Sequence, residues 1–258
     1  MSYIDEGRGY RGMKYGAGAL GAVAVIALGR MALMGAAHSL PSTPTSPIGA
    51  ERALLDDKAV GSLFATIKRT YPDEFESMKN DIARRGQAFE ANDEVRSALV
   101  ADLAGAEQRH RGDMAQAPHQ ALVNYREAEI AMVEALQSTD PSLCADYFTT
   151  GAFRTATPPP LLRSRNIDFQ QQVWTAAAAG RDSPVGRKID KPGPAVGRAL
   201  FAGMAAAGYD QKQVDAFFHK QPAPAAQQCA MGLAFLRTID SLPADKADGF
   251  VAYAVTHI

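Results

Sequence analysis

Residues 60–82 read VGSLFATIKRTYPDEFESMKNDI, and their spacing decides the fold class. Val60, Leu63, Phe64, Ile67 and Tyr71 recur at three- and four-residue steps, the period of one face of an α-helix. Pro72 ends that helix and can open the next, because a missing N–H is harmless in a first turn. Phe75, Met78 and Ile82 then form a second apolar stripe.

The same period continues toward the C-terminus. Asn92 reads as an N-cap, with Asp93 and Glu94 in the first turn and Val95, Leu99 and Leu103 on the buried face. A helix over roughly 119–138 carries Leu122, Tyr125, Met132, Val133 and Leu136, and Asp140-Pro141 ends it. Leu143, Cys144, Tyr147 and Phe148 predict a short helix, and Ile167 to Ala179 a longer one stopped by Gly180. Four further helices follow, around Leu200, Phe217, Leu236 and Val251. No run of alternating β-branched residues occurs. The expected fold is all-α, an irregular multi-helix bundle over 50–258, with a subdomain seam at 152–160 that contains the rigid RTATPPP loop, 154–160.

Upstream the character changes. Residues 1–15 are polar with Arg8, Arg11 and Lys14, and Gly16 to Ala37 are apolar except for Arg30. Basic residues before an apolar run place the N-terminus in the cytoplasm. Twenty-two residues suffice to cross a bilayer, and a cleavable signal peptide with small residues at Gly35-Ala36-Ala37 is the alternative. The expected order is a cytoplasmic tail (1–15), a transmembrane or signal helix (16–38), a Pro/Ser/Thr linker (39–49) and an exported helical domain. The Ala-rich composition suggests a bacterial inner membrane and a periplasmic domain. Arg30 makes insertion marginal, since a charge at a helix centre costs about 2.5–3.5 kcal/mol. Gly16, Gly18 and Gly21 would let a neighbouring membrane helix pack closely.

Those glycines also spell G-x-G-x-x-G, but no strand precedes them and no acid follows at the ribose-binding distance, so a dinucleotide is not expected. The net charge of −1 argues against a nucleic-acid binder. It conceals an uneven distribution, −7 over residues 50–150 and +5 over 151–200. Five scattered histidines form no metal-binding pair, and Glu107-x-x-His110 reads as a solvated helix surface. No G-x-S-x-G and no Cys-x-x-Cys occurs, and Arg111-Gly112-Asp113 reads as a helix break, not an adhesion signal. No catalytic residue, metal or cofactor is therefore expected.

Two features remain. Cys144 and Cys229 form an even pair in a chain that looks exported, so a disulfide is expected, stabilising by roughly 4 kcal/mol for a loop of this length. The loop GRDSPVGRKIDKPGP, 180–194, gathers Arg181, Arg187, Lys188 and Lys191 as a candidate surface for an anionic partner. The functional expectation is an envelope interaction or scaffold protein that meets the membrane through residues 16–37 and a second envelope protein through its domain. The alternative is an exported helix-bundle enzyme or a small-ligand or lipid carrier.

Overall fold

A computed structural model describes residues 43–88, 90–150 and 159–257. The proposed membrane segment, with Gly16, Gly18 and Gly21, lies outside the described residues, as does the expected seam except for its last two residues. Among the described residues the fold is all-helical, with twelve helices and no strand. No described helix is long and apolar enough to cross a membrane.

The helices are α1 (Pro47–Leu55), α2 (Gly61–Thr70), α3 (Pro72–Gln87), α4 (Asn92–Arg109), α5 (Arg111–Ala115) and α6 (His119–Thr139). They continue as α7 (Pro141–Thr150), α8 (Pro160–Asp182), α9 (Pro194–Ala206), α10 (Gln211–Phe218), α11 (Ala225–Asp240) and α12 (Ala244–His257). Prolines 47, 72, 141, 160 and 194 each open a helix, where their fixed φ suits the first turn. Side chains cap the starts of α1 and α10. Ser46 Oγ accepts from the Gly49 N–H at 3.1 Å, and Asp210 and Gln213 form a reciprocal capping box. The linker read over 39–49 is thus already helical from Pro47. Asn92 is the first helical residue, not the cap, which is Ala91.

The bundle is organised around α8. This helix packs on α2, α5 and α6, and buries residues from Leu162 to Gly180. Its last turns are lined with Ala176, Ala177 and Ala178, which permit close approach of neighbours. Gly180 does not stop the helix, as its position had suggested. A Cβ there would lie 1.8 Å from the Asp113 carbonyl oxygen, so the glycine serves the contact with α5.

On the C-terminal side, α7 and α11 are joined by a disulfide between Cys144 and Cys229, both fully buried, with Cα atoms 5.2 Å apart. One turn further along, the Phe148 ring lies against Gly232, where a Cβ would meet it at 2.2 Å. Phe148 also starts a chain of aromatic contacts through Phe217 and Phe235 to Phe250. These contacts tie α7, α10, α11 and α12 together, and one apolar core runs from Ala50 to Val255.

Candidate functional site

The face that α4 turns to the core carries Val95, Leu99, Leu103 and then Glu107, in four-residue steps. The inward face of α6 likewise carries Tyr125, Glu129 and Val133. Helical phase therefore forces two carboxyl groups into the core. Glu107 is 5% exposed and Glu129 4%. The expectation of a solvated surface at Glu107 is overturned: this helix needs an inward residue at every third or fourth position, and residue 107 is one of them.

The two acids differ in their partners. The Tyr147 hydroxyl on α7 donates to Glu129 Oε1 at 2.6 Å. The Tyr125 hydroxyl is near the same carboxyl group but forms no well-aligned hydrogen bond. Burial raises the Glu129 pKa to about 7, opposed by the Tyr147 hydrogen bond and the nearby Tyr125 hydroxyl. Neither carboxyl oxygen of Glu107 has a hydrogen-bond partner. Burial raises its pKa to about 8, with the Arg111 charge opposing. Burial also lifts both tyrosine hydroxyls well above their ordinary range, reinforced by the Glu129 charge.

Each acid borders a cavity. Glu107, Arg111 and Trp174 line one of about 10 Å³ between α4, α5 and α8, and the buried Arg111 Nε and Trp174 Nε1 also have no partner there. That is about the space one water needs, with several polar groups to hold it. Glu129, Tyr125 and Arg126 border a second cavity of about 30 Å³, a partly open cleft between α6, α11 and α12. Its other walls are apolar, including Phe235, Ile239, Phe250 and Val251.

A third buried carboxylate has a different setting. Asp248 on α12 is 5% exposed and accepts from Arg126 Nη1 at 3.1 Å and Arg187 Nη2 at 3.3 Å. His119 Nδ1 faces it at 3.0 Å. Arg126 also donates to Asp240 at 3.1 Å. Nearer the surface, His110 lies between Asp113 Oδ2 at 3.0 Å and Glu74 Oε1 at 2.9 Å, with the Tyr71 ring tilted against it, centroids 3.9 Å apart.

The four basic residues expected to form an anionic-partner surface are divided by the fold. Arg187 points inward, donating to the carbonyls of Ala115 and Ala117 as well as to Asp248. Its backbone exchanges hydrogen bonds with the Gln116 side chain, which fastens the loop to the bundle. Arg181 donates to the Thr70 carbonyl at 2.6 Å and to Asp182, and its guanidinium lies 4.4 Å from the Tyr71 ring centroid. Lys188 and Lys191 are exposed, Lys188 with Asp190 2.9 Å away. No three described His, Cys, Asp or Glu side chains are grouped to hold a metal.

In comparisons with known proteins, no family model, no curated protein and no solved structure matches the chain.

Proposed function

We propose that this chain is an envelope protein, anchored through residues 16–37, whose exported helical domain acts as an interaction or scaffold module. The observation that carries this reading is the Cys144–Cys229 disulfide, fully buried between α7 and α11. Such bridges form and persist in oxidising compartments and are rare where glutathione keeps thiols reduced. The sequence supports it with the basic tail and apolar stretch ahead of the domain.

Lys188 and Lys191 are the exposed cations through which an acidic partner or anionic headgroups near the bilayer would be met. The carrier reading keeps one observation in its favour, the cleft that places buried polar groups among apolar walls.

The test is a thiol-trapping assay on intact cells, combined with purification from membranes in mild detergent. Cys144 and Cys229 should resist alkylation until reduced, and an envelope protein should co-purify. Thiols that react before reduction would remove the exported location. Recovery of a small molecule without a protein partner would replace the scaffold reading with the carrier one.

A further inference from the structure

The cleft between α6, α11 and α12 combines three features that surface irregularities do not share. Its walls are apolar and aromatic, from Phe235, Leu236, Ile239, Phe250, Val251 and Ala254. It is bordered by a carboxyl group that the fold keeps 4% exposed, Glu129. It is also bordered by a buried phenol, Tyr125, whose hydroxyl has no well-formed hydrogen bond.

The groups around that carboxyl show what it lacks. Tyr147 supplies one hydrogen bond to Oε1. Arg126 is the cation that borders the same cleft, but its guanidinium donates to Asp240 and Asp248. Those two carboxylates, with Arg187 and His119 on Asp248, form a set whose charges match without Glu129. Ionised, that carboxyl has acceptor capacity and no paired cation among the described residues, a state that burial penalises until a positive group arrives. The complement is a small positive group with an apolar body. A volume of about 30 Å³ takes an ammonium head and little more, so the rest of the ligand must lie along the open, apolar part of the cleft.

We propose that this cleft binds a short aliphatic ammonium ion, its nitrogen held by the Glu129 carboxylate and the Tyr125 hydroxyl and its chain against Phe235, Ile239 and Phe250. The inference goes beyond the interaction reading and does not depend on it, because it concerns the purified domain wherever the protein resides. Binding transfers no covalent bond. Below about pH 7, where the Glu129 carboxyl holds its proton, each binding event releases one proton to the buffer.

The experiment is isothermal titration of the full-length protein in a non-ionic detergent with n-butylammonium, n-butanol and butyrate as probes. Butylammonium should bind at least about tenfold more tightly than butanol, and butyrate should not bind. At pH 6 the heats in two buffers of different ionisation enthalpy should differ by one proton per ligand. Glu129→Gln should lose the preference for the amine while keeping the circular dichroism of the wild type. Ala254→Leu, which narrows the cleft without touching the acid, should weaken butylammonium binding. Equal binding of butanol and butylammonium, no binding of any probe, or amine binding that survives Glu129→Gln would each overturn the proposal.

Discussion

Asp248 and Glu129 are both buried carboxyl groups, and the fold treats them in opposite ways. Asp248 sits where α12 meets the start of α6 and the loop after α8, and three basic side chains converge on it. Glu129 faces tyrosines and an apolar cleft, and Glu107 faces a small cavity with no hydrogen bond at all. The first arrangement ties distant segments together through matched charge. The second leaves each acid in a setting that favours its protonated form. A carboxyl in the core is thus a clamp where cations come with it and a reserve of binding or proton capacity where they do not.

Breaking the clamp should have the largest effect. Asp248→Ala leaves the guanidinium of Arg126 with only Asp240 and that of Arg187 with only the Ala115 and Ala117 carbonyls, and should cost about 3–5 kcal/mol in chemical denaturation. It should also free the 183–193 loop, seen as faster tryptic cleavage after Arg187 and Lys188. A loss under about 1 kcal/mol would mean that the arginines find other partners and that the clamp is not one.

Removal of the disulfide comes next. Its loop spans 85 residues, and the Cys144→Ser, Cys229→Ser double variant should lose about 2–4 kcal/mol. The loss should appear in the wild type on reduction and be absent from the variant treated in the same way.

The uncompensated acids should respond to pH in a direction set by their raised pKa values. Between the ordinary value of 4.5 and the folded values of about 7 and 8, the folded state binds more protons than the unfolded one. Stability therefore falls as pH rises through that window, and the penalty vanishes below it. Glu107→Gln should gain up to about 4 kcal/mol at pH 8.5 and nothing at pH 4. A gain that is the same at both pH values would point to packing instead of charge.

The smallest effect should come from an acid that keeps its water. Glu134 pairs with Arg237 at 2.7 Å on an exposed face, and Glu134→Gln should change stability by less than about 1 kcal/mol at any pH.

Much of the helical architecture was legible because apolar residues recur at helical spacing and Pro72 marks a boundary between two stripes. The stripe from Val60 to Ile82 became α2 and α3 with their boundary at Tyr71-Pro72. The reach of α8 was hidden. Its first turns, PLLRSRN, are too polar to show a stripe, and Gly180 resembles a stop when its real role is contact with Asp113. A signal for the buried acids did exist, since Glu107 follows Leu99 and Leu103 in phase and Glu129 lies midway between Tyr125 and Val133. It is easily passed over because charged residues usually face water. The Asp248 clamp had no such signal. His119 and Arg126 share α6, but Arg187 and Asp248 come from two other, distant stretches, and only tertiary packing brings them together.

The measurement that bears most directly on the contrast between clamped and uncompensated acids is a carbon-13 carboxyl NMR titration of the intact protein, assigned through Glu107→Gln and Glu129→Gln. Glu129 should titrate near 7 and Glu107 near 8, far above the ordinary glutamate value of 4.5. Midpoints for both near the ordinary value of 4.5 would contradict it, and would mean that water or a cation reaches these carboxyl groups in the core.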